Sequence, residues 1–236
     1  MSSAVSPVHA QLSVPVALHV FAIRPAVSSP APFPILVAMH GYAMDAASIL
    51  SLAGRLCPEG FLVVAPEGPH STLVPGNESG PSRKTGFHWG VSPRAEDNRA
   101  THRAAVAAAI AWGVTQGGDP ARVSLLGFSQ PCAFNYRLAL DPPHGAPFRA
   151  LVALCGGIPG EWAASKETPA SEHASPAAVL HVSTREDPFY PLDRVAAYAG
   201  VLRPRFGSVE HRLEDGAHRA PSSAFEGISS FLSTHG

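Results

Sequence analysis

The chain has 236 residues, 45% of them hydrophobic and 15% charged, with a formal charge of −1. Near-neutral charge and the lack of any basic run exclude the electrostatic footprint of nucleic-acid or anionic-membrane binding. The length suits a single domain over residues 1–236, with apolar content enough to fill a large core.

In chain order, residues 12–23, "LSVPVALHVFAI", alternate in polarity and predict edge strands, the only place where Pro15 is tolerated. Further strands are predicted at 34–41, 61–68, 122–129, 149–157, 177–187 and 208–216. The continuous apolar character of the middle ones marks central parallel strands. Helices are predicted near 44–57, 98–116, 131–140, 191–203 and 221–234. The last carries Phe225, Ile228 and Leu232 at helical spacing and is opened by Pro221. Alternating strands and helices argue for an α/β fold, a mostly parallel central sheet with helices on both faces. Residues 67–98 interrupt this rhythm as a long segment without its own periodicity, which reads as a cover over a site and contains Phe87 and Trp89.

Cys57, Cys132 and Cys155 are odd in number and widely spaced, so they read as buried thiols in a reducing compartment rather than as a disulfide framework. Twelve histidines raise the question of metal, but no H-E-x-x-H or paired Cys/His spacing is present, and no metal site is expected. The N-terminal stretch has no basic residue before Arg24 and no long apolar core, and no segment approaches a membrane span. A cytoplasmic protein is expected. Monomer and homodimer stay equally open.

The chemistry-bearing stretch is "LLGFSQPCAF", residues 125–134. A G-x-S triplet occurs at Ser82, Ser129 and Ser229, but only Ser129 follows an apolar strand and precedes a helical pattern, the context of a nucleophile elbow. On this segment alone a helix N-cap serine is an equal reading, and Cys132, three residues on, reads as an interior helix position. A nucleophilic serine needs a base, and the base an orienting carboxylate. Asp187 ends the strand "AVLHVSTRE", and His218 follows the last strand in "EDGAHRAP". Both fall at carboxyl ends of strands, where open α/β sheets gather their sites, and in the chain order Ser, Asp, His. The rivals fit less well. Glu186 is assigned to the strand, Asp193 to a helix, Asp215 to a turn, His211 to a strand and His235 to the tail.

Together "MHGYAMDAASI", "GFSQPCAFNYRLAL", "VALCGGIPG", "STREDPFYP" and "DGAHRAP" resemble the phospholipase/carboxylesterase group of the α/β-hydrolase superfamily, in order from about residue 34 to the C-terminus. The resemblance implies a serine esterase needing no cofactor, with Ser129 as nucleophile, Asp187 as orienting acid and His218 as base. It also implies an oxyanion hole from the backbone N–H groups of Tyr42 and Gln130. His40, before Gly41, reads as a residue shaping that loop. The chain departs from the group at Pro131 and Ala43, where glycine is usual. Pro131 is expected to bias Gln130 away from the α region and start the helix. Phe87, Trp89, Phe189 and Tyr190 are the aromatics expected to line a small acyl site. A small-acyl carboxylesterase is the reading, with a thioesterase, a lysophospholipase or a peptidase on the same triad, or a non-catalytic receptor on the same scaffold, as alternatives.

Overall fold

The computed structural model describes residues 10, 12, 14–26, 30–74, 84–91, 93–164 and 174–236. Nine strands and seven helices alternate along them: β1 Val20–Ile23, β2 Phe33–Met39, α1 Ala46–Leu56, β3 Leu62–Pro66, β4 His70–Val74, β5 Lys84–His88, α2 Ala95–Thr115, β6 Gly118–Phe128, α3 Pro131–Leu140, β7 Ala150–Leu154, α4 Gly160–Ala164, β8 Ser175–Thr184, α5 Leu192–Val195, α6 Tyr198–Leu202, β9 Phe206–Glu214 and α7 Phe225–His235. Seven strands form one sheet in the order β1-β3-β2-β6-β7-β8-β9. Only β1 runs antiparallel to its neighbour; the other pairings are parallel.

The central strands are apolar on both faces because both faces are covered. Along β2, Ile35, Val37 and Met39 pack with Val106 and Ile110 of α2, while Leu36 and Ala38 pack with Ile49 and Ala53 of α1 and Ile228 of α7. Alternation with period two sends successive side chains to opposite layers, and helices fill each layer. The parallel register then brings the carboxyl ends of β2, β6, β8 and β9 to one edge, where connecting loops carry Tyr42, Ser129, Asp187 and His218.

Several boundaries differ from the sequence expectation. Among the described residues of 12–23 the ladder with β3 runs over Val20–Ile23; Pro15 lies before it, outside any strand, where no ladder donor is needed. The segment 67–98 is not without structure: β4 and β5 form an antiparallel hairpin, His70 opposite His88, and α2 already starts at Ala95. The helix expected over 191–203 is two short ones, α5 and α6. The last helix is preceded by a 3-10 turn at Ser222–Ala224. Helix α4 was not foreseen. Strand β8 ends at Thr184, leaving Glu186 exposed in the following turn rather than in the strand. No helix among the described residues is long and apolar enough to cross a membrane.

The hairpin is fastened to the start of α1. Asp45 is the N-cap, its Oδ1 accepting from the Ser48 N–H at 2.8 Å, and its Oδ2 lies 2.9 Å from Lys84 Nζ on β5. The Ser48 hydrogen bonds and the Lys84 ammonium pull the Asp45 carboxyl down from 3.8 to about 2. Replacing Asp45 by Ala should therefore cost about 1 kcal/mol at neutral pH, as loss of an N-cap does. Because the folded-state value is the lower one, this contribution is complete above the ordinary carboxyl range and fades as pH falls towards 2. Urea denaturation of both proteins from pH 7 to pH 2 should show the gap between them closing only at the acid end.

Candidate active site

Strand β6 ends at Phe128, and Ser129 turns the chain into α3 with φ 64°. This left-handed conformation costs a residue with a Cβ about 1–2 kcal/mol, so its surroundings must impose it. The Ser129 N–H donates to the Leu154 carbonyl of β7 at 2.8 Å, and the Cys132 N–H donates back to the Ser129 carbonyl at 3.2 Å. The turn is also too crowded for side chains on either flank. A Cβ at Gly127 would lie 2.9 Å from Asn135 Nδ2, and one at Gly156 would lie 2.6 Å from the Ser129 carbonyl oxygen.

The side chains of Ser129, His218 and Asp187 meet above this turn. Ser129 Oγ lies 2.9 Å from His218 Nε2, and His218 Nδ1 lies 2.7 Å from Asp187 Oδ2. A carboxylate only accepts, so Nδ1 carries the ring proton and Nε2 presents its lone pair to the hydroxyl. Asp187 is buried, and its other oxygen accepts from the N–H groups of Phe189 at 2.9 Å and Tyr190 at 3.2 Å. The carboxylate is thus held by three donors and cannot rotate away from the ring. The loop bearing His218 is tied to the end of β8: the Thr184 hydroxyl donates to the Ala217 carbonyl at 2.9 Å, and the Glu186 N–H to Gly216 at 3.0 Å. Such a relay can take a proton from the hydroxyl as it attacks an electrophilic carbon.

Beside the serine, residues 41–44 form a tight turn closed by the Met44 N–H to the Gly41 carbonyl at 3.2 Å, with Ala43 at φ 62°. A positive φ at the third position is why glycine suits it. The Phe87 N–H of β5 donates to Met44 at 2.6 Å, so the hairpin braces this turn from outside. His40 fastens it from beneath. Its Nδ1 donates to the Gly41 carbonyl at 2.8 Å, and its Nε2 accepts from the Gly68 N–H at 2.8 Å. Burial holds the His40 ring below the ordinary histidine range, in keeping with a neutral ring that uses one nitrogen as donor and the other as acceptor.

Gln130 departs from the sequence expectation. It is α-helical, with φ −52° and ψ −48°, although it precedes Pro131. Its side chain explains this: Oε1 accepts from the Trp89 N–H at 3.0 Å, and Nε2 donates to the Gly90 carbonyl at 2.7 Å. Two hydrogen bonds to the strand end after β5, added to the forced geometry at Ser129, override the local preference before proline. Helix α3 does begin at Pro131, and the Gln130 N–H falls at a helix start, where intrahelical partners are lacking.

The four aromatics expected to line a pocket divide. Phe189, 65% exposed, stands edge-on to the His218 ring with centroids 4.8 Å apart, and Tyr190 lies on the same ring at 6.0 Å. Burial pushes the Tyr190 hydroxyl up to about 12, an effect the neighbouring Ser129 side chain opposes. Phe87 is half-buried against the 41–44 turn. Trp89 is a correction: it is fully buried, its Nε1 donates to the His40 carbonyl at 2.9 Å, and its ring packs on His40 and His102. It buttresses the site and cannot line it without unpacking the core. Sequence reasoning missed the Gln130 clamp and the stack of Tyr42, His88 and His70. Neither "HSTLV" nor "KTGFH" alternates in polarity, so no local signal announced the hairpin that carries His70 and His88.

The remaining alternatives lie apart from this cluster. Cys132 is buried behind the turn, its thiol donating to the Gly127 carbonyl at 3.2 Å. Asp215 pairs with Arg185, and His211 bonds Ser183. Asp193 is in α5, and Ser229 and His235 are in α7, while Ser82 lies outside the described residues. Among the described residues no group of three or more His, Cys, Asp or Glu is disposed to hold a metal ion.

No family model and no curated protein matches the sequence. Solved structures do. An esterase, PE8, superposes with a TM-score of 0.70 at 19% identity, covering 93% of this chain and all of its own, 100%. The Bacillus cereus carboxylesterase gives 0.67 at 12% identity, over 92% of this chain and 94% of its own. The Zea mays acyl-protein thioesterase 2 gives 0.64 at 19% identity, over 93% and 98%. The chain has the α/β-hydrolase fold.

The hairpin's close approach is testable. A Cβ at Gly86 would lie 2.3 Å from the Ala43 carbonyl oxygen, a backbone atom, whereas one at Gly200 in α6 meets nothing within 4 Å. Gly86→Ala should cost about 2–3 kcal/mol by overpacking. Gly200→Ala should add about 0.5–1 kcal/mol through helix propensity. Urea midpoints of the two variants, moving in opposite directions, would check the packing.

Proposed function

We propose that the chain is a carboxylic ester hydrolase working through an acyl-enzyme, with Ser129 as nucleophile, His218 as general base and acid, and Asp187 as the orienting carboxylate. The observation that carries this is the continuous relay from Asp187 Oδ2 through both nitrogens of His218 to Ser129 Oγ, at 2.7 and 2.9 Å. Solved structures like the chain in fold include proteins named esterases and a thioesterase, which adds weight to the reading.

In the proposed reaction the Ser129 proton passes to His218 Nε2 as Oγ bonds to the ester carbon. The carbonyl π electrons move to oxygen, and the Tyr42 and Gln130 N–H groups donate to that oxyanion, where fixed donors act without reorganising. As the carbonyl re-forms, the bond to the alcohol oxygen breaks and that oxygen takes the proton from His218. A water then gives its proton to His218 and attacks the acyl carbon. Collapse of this second intermediate expels Ser129 Oγ, which recovers the proton, and releases the acid. These steps require no cofactor. Phe189 and Tyr190 beside His218 favour small acyl groups. A thioester would be cleaved by the same steps, so a panel of nitrophenyl esters, acyl thioesters and lysophospholipids distinguishes the substrates. Lack of turnover together with lack of serine labelling would instead indicate a receptor.

Ser129→Ala or His218→Ala should lower kcat by about 10⁴–10⁶, and Asp187→Ala by about 10³–10⁴, since deletion of a member of a cooperating unit removes most of its effect. A fluorophosphonate should label the wild type once, at Ser129, and leave Ser129→Ala unlabelled. Hydrolysis of nitrophenyl acetate by Ser129→Ala at the wild-type rate would refute the assignment.

A further inference from the structure

A groove of about 700 Å³ opens beside His218 and runs between the end of α1 and the start of α7. Met44, Phe128 and His218 line it together with Arg55, Arg219 and Phe225. The Arg55 guanidinium lies over the Phe225 ring, 4.8 Å from its centroid, and both residues line the groove. A last-turn position on α1 would account for a basic residue, but not for this orientation.

The charge balance of the groove is uneven. Its one carboxylate, Asp215, is held by Arg185 at 3.0 Å. The nearby Glu214 accepts from the Ser223 hydroxyl at 2.6 Å. Among the described residues neither Arg55 nor Arg219 has a carboxylate partner. Two cations without a carboxylate therefore line a groove that also has Met44, Phe128, Phe225 and the base His218 in its lining.

The leaving group's place follows from proton transfer. The alcohol oxygen that departs must come within hydrogen-bond reach of His218 Nε2 to be protonated. The leaving group thus extends beside the His218 ring, against which this groove lies. We propose that the groove receives the alcohol portion of the substrate and that Arg55 and Arg219 select alcohols carrying an anionic group, a carboxylate or phosphate several bonds from the ester oxygen. The apolar Phe128, Met44 and Phe225 would hold the carbon skeleton between. This inference rests on the esterase reading above and names Arg55 and Arg219 as specificity-determining residues for it.

The test compares 4-carboxyphenyl acetate with phenyl acetate, identical in acyl group, each rate divided by that ester's alkaline hydrolysis rate. In the wild type the ratio of kcat/KM, charged over neutral, should exceed one and fall as salt is raised, because exposed charges are screened. Arg55→Gln combined with Arg219→Gln should lower the ratio about five- to thirtyfold, the range left to a charge-assisted contact that is partly exposed. Arg55→Lys should recover part of it. Arg103→Gln, an exposed arginine paired with Asp141 elsewhere on the surface, should leave the ratio unchanged. A double variant whose ratio moves less than threefold while phenyl acetate is still hydrolysed would overturn the groove assignment and leave the esterase reading standing. A wild type that hydrolyses neither ester and takes no fluorophosphonate would overturn both.

Discussion

The backbone of Ser129 is the constraint to which the neighbouring structure conforms. A left-handed residue between a parallel strand and a helix reverses the chain so sharply that Gly127 and Gly156 have no room for side chains. It points the hydroxyl out over the edge of the sheet and sets the first turn of α3 under it. The bond from the Ser129 N–H to Leu154 anchors that geometry in β7, so the strain is held by the sheet and not by the loop alone. Everything that meets the hydroxyl comes from the ends of β8 and β9, whose relative position is fixed by the longest ladder of the sheet.

Around the elbow lies a layer of buried and half-buried polar groups. His40, Gln130 and the Trp89 indole satisfy backbone groups of different segments, joining the 41–44 turn, the loop after β3 and the end of β5. Unpaired, each would carry a desolvation cost of about 1–3 kcal/mol. Paired, they make the edge of the sheet behave as one piece. The hairpin, which could have been a loose cover, is drawn in by these bonds and by Lys84 to Asp45.

The central sheet was legible because its signal is local and strong: apolar runs in "PILVAMHG" or "RVSLLGFS" are buried on both faces whatever surrounds them. The Ser129, Asp187 and His218 cluster was legible for a related reason, since three residue types at three strand ends must share an edge once the sheet is parallel. What escaped depends on contacts distant in sequence. Gln130 adopts helical angles because of Trp89 and Gly90, some forty residues earlier, against the preference that Pro131 imposes locally. Trp89 read as a pocket aromatic because exposure is not written in residue type; its indole had a buried carbonyl to reach. The groove joins Arg55 to Arg219 across more than half of the chain, and no spacing rule relates them.

Cys132 and Cys155 are buried, and burial raises all three thiols, Cys155 to about 11 and Cys57 to about 12. Reaction with oxidants and alkylating agents goes through the thiolate, a form these positions withhold. The Cys132 thiol is turned inward to the Gly127 carbonyl, while the Ser129 hydroxyl faces His218. Peroxide or maleimide would find Cys132 and Cys155 enclosed and would meet first the partly exposed Cys57, so conjugation through added surface cysteines goes cleanest with Cys57 replaced.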